Sequence, residues 1–149
     1  MAEETKYPSV FACPHCGESF DAIQNSVRCV NGHTFDRARE GYLNLLVGGR
    51  LSTSATPGDT PESLAARRRF LSTGAYMPIV DALANTIGDL DGAVLDIGCG
   101  EGYYLSHIRA PHRFGLDIAK RGVQMASKSY PDSEFVVGTA YRLSLIHIS

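Results

Sequence analysis

Hydrophobic and polar positions change rhythm repeatedly along this chain. Thr60-Pro61-Glu62 reads as a helix start, with a threonine able to cap, proline at the first helical position and an acid in the first turn. The helix it opens carries Leu64, Ala65, Phe70 and Leu71, and Gly74 stops it. A second helix is predicted over about 77–87, where Ile79, Val80, Leu83 and Ile87 recur at helical spacing before Gly88. Short apolar runs then take over: Val94-Leu95-Asp96-Ile97, Phe114-Gly115-Leu116-Asp117 and Glu134-Phe135-Val136-Val137-Gly138 read as three strands. Helices are predicted between them, over about 103–108 and 120–128. This alternation predicts an α/β fold with a parallel, doubly wound sheet and right-handed crossovers. Before it, residues 35–46 mix polar and apolar positions, and 48–59 are small, polar and rich in turn formers, as in a loop or linker. No internal repeat is visible.

The densest chemistry lies after the first of the three strands. Asp96-Ile97-Gly98-Cys99-Gly100-Glu101-Gly102 sets glycines at alternate positions behind an acid. Glycine permits a sharp turn and lets a ligand press close to the main chain. The helix start beyond it points unpaired N–H groups at whatever sits there. Dinucleotide loops read G-x-G-x-x-G, with a pyrophosphate at the helix end. Here the third glycine comes one residue early, at Gly102, and Tyr103 stands where that pattern has glycine. The acid-x-Gly-x-Gly-x-Gly order resembles instead the first motif of S-adenosylmethionine-dependent methyltransferases. Their cofactor has no pyrophosphate, so the loop would lie against its methionine and ribose parts. Asp117, at the end of the next strand, is then the second acid, placed to accept hydrogen bonds from the ribose hydroxyls. A nicotinamide site and a glycine turn without a ligand are the alternatives.

Cysteine spacing points to a second site. Two residues separate Cys13 from Cys16, twelve more precede Cys29, and three lie between Cys29 and His33. Three thiolates and one imidazole at this C-x2-C-x12-C-x3-H spacing make a closed tetrahedral set of the kind structural zinc prefers. Cys13-Pro14-His15-Cys16-Gly17 and Cys29-Val30-Asn31-Gly32-His33 place turn formers where a chain must fold around one ion, with Ser26-Val27-Arg28 as a strand leading into the second knuckle. A segment of roughly forty residues buries too little apolar surface to fold unaided, so metal binding would supply stability. Four protein ligands leave no open position for catalysis. His15 is a rival fourth ligand, made awkward by its adjacency to Cys16, and a pair of buried free thiols is the plainer alternative. Cys99 is left over, inside the glycine loop.

Composition narrows the class. The chain is 44% hydrophobic and 20% charged, and it contains no apolar run near the length of a membrane span. Its acidic start lacks the pattern of a signal peptide, so the cytoplasm is the expected location and no membrane partner is expected. A net charge of −2 argues against broad electrostatic gripping of nucleic acid, leaving any RNA contact to local patches. Arg67-Arg68-Arg69 is one such run. Consecutive helical residues point about 100° apart, so the run reads either as a solvated face with one arginine pairing an acid or as a contact for RNA phosphates.

Taken in order, these motifs resemble the zinc-ribbon 23S rRNA (guanine-N1)-methyltransferases. The resemblance runs from Cys13 to about Arg142. It rests on the Cys13/Cys16/Cys29/His33 set, Phe35-Asp36 to Leu46, Pro57-Gly58-Asp59, Ala66-Arg67-Arg68 with Phe70-Leu71, Gly74 to Pro78, and Leu95 to Tyr104. It implies an N-terminal zinc ribbon followed by the first half of a Rossmann-like class I methyltransferase domain, using S-adenosyl-L-methionine and structural Zn2+ to methylate guanine N1 in a 23S rRNA hairpin. Around the cofactor it implies Tyr76, Gly98, Gly100, Glu101, Gly102 and Asp117, with Asp96 also shaping the loop. No residue stands out as a catalytic base. The resulting division is 1–46 ribbon, 47–75 linker and helix, 76–142 partial cofactor domain, and 143–149. The last segment, Leu143-Ser144-Leu145-Ile146-His147-Ile148-Ser149, departs from the family and looks like a translated sequencing adapter. The expectation is therefore an artefactual tail on a fragment with weak cofactor binding and no turnover. Competing functions are a small-molecule methyltransferase with ornamental zinc and a non-enzymatic zinc module that touches RNA. Oligomeric state leaves no sign in the sequence.

Overall fold

Strand pairing rather than local pattern defines the N-terminal part of the computed structural model, which describes residues 10–47 and 60–140. The polar stretch 48–59 and the suspected tail 143–149 lie outside the described residues. Strands β1 (Phe20–Ile23), β2 (Ser26–Cys29) and β3 (Thr34–Asp36) form an antiparallel sheet in the order β1-β2-β3. Phe20 faces Cys29, and Val27 faces Phe35. The sequence signals only β2, because strands of three or four residues are too short to display an alternation.

The second sheet is wholly parallel. Strands β4 (Leu43–Asn44), β5 (Ala93–Ile97), β6 (His112–Asp117) and β7 (Glu134–Val137) lie in the order β4-β7-β6-β5. β4 has no strand pattern of its own. It pairs Leu43 with Val136 and Asn44 with Val137, so the segment that carries the ribbon also supplies a strand to the cofactor-loop sheet.

The helices follow their sequence signals closely. α1 (Pro61–Ser72) is capped by Thr60, whose Oγ1 accepts the Ser63 N–H at 3.1 Å. α2 (Met77–Ile87) ends at Gly88, with φ +72°. α3 (Tyr103–Ser106) is a single turn, and α4 (Lys120–Ser129) is the longer helix between β6 and β7.

Period-2 alternation along the parallel strands divides the core into two faces. On one face, Leu105, Val123 and Ala126 of α3 and α4 pack against Phe135 and Val137, joined by Tyr42. On the other, Phe114, Leu116 and Val136 meet Phe11, Val27 and Leu43. Phe11 stands edge-on to Phe114, with ring centroids 5.9 Å apart. In this protein the zinc-ribbon segment covers the face where a doubly wound sheet would carry helices. The ribbon is too small to enclose a core, so its few apolar side chains close against the sheet instead. β5 is one edge of this sheet among the described residues and β4 the other, and Ile97 on β5 is 51% exposed. No described helix is long and apolar enough to cross a membrane.

Candidate functional site

The knuckle glycines Gly17 and Gly32 take left-handed φ of +77° and +84°, turning the chain back on itself beside Cys13/Cys16 and between Cys29 and His33. Gly17 N–H donates to the Cys13 carbonyl at 2.7 Å, and Gly32 N–H to the Cys29 carbonyl at 2.9 Å. These turns bring the ligand atoms of Cys13, Cys16, Cys29 and His33 within 4.8 Å of one another. Cys16 Sγ lies 3.7 Å from Cys29 Sγ, and His33 Nδ1 lies 3.3 Å from Cys29 Sγ and 3.5 Å from Cys13 Sγ. A tetrahedral zinc with Zn–S near 2.3 Å and Zn–N near 2.0 Å has edges of about 3.8 Å between sulfurs and about 3.6 Å between sulfur and nitrogen. The cluster therefore fits the ion, and it is a structural-type site because all four positions belong to the protein. His15 is not part of it: its ring lies against those of His33 and Phe35, at centroid distances of 4.8 and 5.9 Å. Hydrogen bonding, foremost from the Asn31 side chain and next from the Glu18 backbone, holds the Cys16 thiol down at about 6, whereas burial pushes Cys13 up.

At the other site, the loop from Gly98 to Gly102 is tied to the end of β6. Gly98 and Cys99 donate to the Leu116 carbonyl at 2.7 and 3.1 Å. Asp117 braces both sides: Oδ2 accepts the Gly100 N–H and Oδ1 the Ala119 N–H, each at 2.8 Å. Gly98, Gly100 and Gly102 all have positive φ. Close packing also demands small residues here. A Cβ on Gly122 of α4 would come within 3.1 Å of the Gly100 carbonyl oxygen, and one on Gly115 within 2.6 Å of the Phe135 ring. Gly98 has the opposite surroundings, since a Cβ there would meet nothing within 4 Å.

That open side is a cleft of about 460 Å³, lined by Asp96, Gly98, Gly100, Glu101 and Tyr103 together with apolar residues of α1, α2 and β5. Size, apolar walls and a few convergent polar groups are those of a small-molecule site. Of the residues singled out in the sequence, Asp96, Gly98, Gly100 and Glu101 line it directly. Gly102 lies behind, against Phe135 and Ala126. Asp117 supports the loop from below; a carboxylate that accepts two backbone N–H groups keeps lone pairs for further donors. Tyr76 caps the start of α2 and packs edge-on against Phe70, at 5.3 Å, outside the lining. α3 closes after one turn, so loop backbone rather than a long helix end faces the cleft.

Charge in the cleft is concentrated. Glu101 is only 8% exposed, and burial raises its pKa against the opposing pull of Arg68 and Arg67. Burial, and secondarily the charge of Asp117, raises Asp96. Burial first, then the Asp117 and Asp96 charges, drives Cys99 far up, so it remains a thiol and serves as packing. The arginine run reads in the sequence either as a solvated face with one arginine pairing an acid or as an RNA contact. In the fold, Arg67 lines the cleft, and Arg68 donates to Ser129 Oγ at 3.1 Å. The signal was present in the spacing: 64, 67, 68 and 71 share one helical face, and Leu64 and Leu71 are its buried anchors.

A ribbon with a Cys3His cluster, joined through one core to a parallel sheet with a glycine-loop cleft, defines a zinc-ribbon protein with a Rossmann-like α/β half. Residues 11–47 match the zinc-ribbon family described as RlmA, N-terminal. The chain is 36% identical over 138 residues to the 23S rRNA (guanine(748)-N(1))-methyltransferase of Streptomyces fradiae, a match covering 87% of this chain and 48% of that protein. It is 34% identical over 149 residues to a Bacillus subtilis strain 168 protein provisionally named a 23S rRNA (guanine-N(1)-)-methyltransferase, covering 90% and 51% respectively. A provisionally named counterpart in Micromonospora griseorubida is 35% identical over 144 residues, covering 80% and 48%. Residues 11–47 thus carry a zinc ribbon of the RlmA N-terminal type, and the chain spans about half the length of the curated relatives it matches.

Proposed function

We propose that this chain is the zinc-binding and cofactor-binding half of an enzyme that methylates N1 of a guanine in a 23S rRNA hairpin in the cytoplasm, with S-adenosyl-L-methionine as donor. The observation that carries the reading is the cleft over Gly98 and Gly100, with Asp96 and Glu101 on its wall and Asp117 bracing the loop. When bound, the cofactor supplies an electrophilic methyl group on a cationic sulfonium. The open space at Gly98 admits a ligand against the main chain. Asp96 and Glu101 complement positive charge, Asp117 offers its remaining lone pairs to ribose hydroxyls, and Tyr76, at the start of α2, would approach the cofactor from outside the lining. Cys13, Cys16, Cys29 and His33 would hold zinc, fixing the ribbon that would help position RNA. Because positioning supplies much of the rate of such a transfer, the target base would have to leave its stack to reach the cleft. The domain limits read from the sequence remain part of this proposal, as do weak cofactor binding and no turnover by these 149 residues alone.

The test is mass spectrometry of nucleosides from 23S rRNA after incubation with labelled cofactor and the gene product that contains this chain. Label in N1-methylguanosine, lost on Glu101→Gln, is the expected result. Label in a metabolite and none in rRNA would favour a small-molecule methyltransferase. No label, with zinc and RNA still bound, would favour the non-enzymatic module.

A further inference from the structure

We infer that Arg67 is the anchor for the carboxylate of the cofactor's amino-acid end and so the residue that lets the cleft distinguish an intact aminoacyl nucleoside from a truncated one. This rests on the cofactor reading of the cleft. The charged residues lining it are Asp96, Glu101 and Arg67. Two acids suit an ammonium and a sulfonium but repel a carboxylate, and a carboxylate entering a largely apolar cleft needs a cation or N–H donors to offset desolvation. Arg67 is the cation among the lining residues, and its Nη1 would lie 3.9 Å from a Cβ built on Gly100, directly over the loop. α1 holds it there. Leu64 and Leu71, one turn away on either side, are buried and fix the helix face, and Arg68 reaches Ser129 at the end of α4. Both arginines also act on the buried Glu101, Arg68 more strongly than Arg67. A planar guanidinium can meet a carboxylate with two parallel hydrogen bonds, a geometry that lysine cannot reproduce.

The experiment compares binding of S-adenosylhomocysteine and 5′-methylthioadenosine, which lacks the amino-acid end, to the zinc-loaded gene product that contains this chain and to its Arg67→Gln variant, by ligand-detected NMR titration. The expected outcome is a loss of about ten- to hundred-fold for S-adenosylhomocysteine in the variant, with 5′-methylthioadenosine unchanged and Arg67→Lys intermediate. An equal loss for both ligands would overturn the assignment, because it would make Arg67 a support of the cleft rather than a reader of the carboxylate. Unchanged binding of both would overturn it too. If the parent gene product binds neither ligand, the cofactor reading itself fails, and the inference with it.

Discussion

Gly115 shows how a single hydrogen in place of a side chain positions the cleft. Its backbone is ordinary, without positive φ, so its requirement is purely spatial: a methyl group would meet Phe135 at 2.6 Å and Cys99 Sγ at 2.9 Å. Gly115→Ala is expected to cost about 1–3 kcal/mol by overpacking. Phe135→Leu in the same chain should recover part of that loss, a coupling that a double-mutant cycle in urea would measure. Asp96 makes the complementary case. Its folded pKa is raised, so the ionised form is less favourable in the native state than in the unfolded chain. The native state therefore loses stability as pH rises from the ordinary value of 3.8 through the raised one, and it stays penalised at neutral pH. Asp96→Asn should accordingly be more stable than the parent at pH 7 and show no advantage near pH 3.5. Denaturant midpoints at the two pH values check this, and an advantage confined to the acid side would contradict it.

The zinc ribbon is bound to the sheet by its own hydrophobic residues. Phe11 lies two residues before Cys13 and Val27 two before Cys29, and both are buried against Phe114, Leu116 and Val136. Holding the four ligands together thus also sets the side chains that cover one sheet face. Chelation should therefore raise amide exchange in β2 and, with it, in β6 and β7, because metal binding and folding are coupled in so small a unit. Exchange that rises in β1–β3 alone would show that the shared core survives without the ion. β4 belongs to the same argument. Two residues pair with β7 only because the ribbon hands the chain to the sheet at that point.

At the scale of the whole molecule, several large apolar side chains stand exposed among the described residues. Ile97 on the edge strand β5 is exposed, and so are Phe70 of α1 and Ile79 of α2. An edge strand with apolar side chains is a template for pairing between chains. The 149-residue chain should self-associate with rising concentration, and Ile97→Lys should reduce that association severalfold in sedimentation velocity while leaving the thermal midpoint within a few degrees. Equal association by parent and variant would place the contact elsewhere.

Local chemistry made much of this protein legible in advance. Helix caps, stop glycines and the order of β5 to β7 can be read directly, because a cap or a period of 3.6 or 2 lies within a few consecutive residues. Cysteine spacing and the early third glycine similarly announce the metal cluster and the loop, since each depends on neighbours close in the chain. Tertiary structure alone decided what depends on contacts distant in sequence. β4 is a strand because Val136 and Val137 lie beside it. The ribbon covers the sheet because neither can bury its apolar face alone. Arg67 joins the cleft because packing of Leu64 and Leu71 turns one face of α1 toward a loop formed thirty residues later.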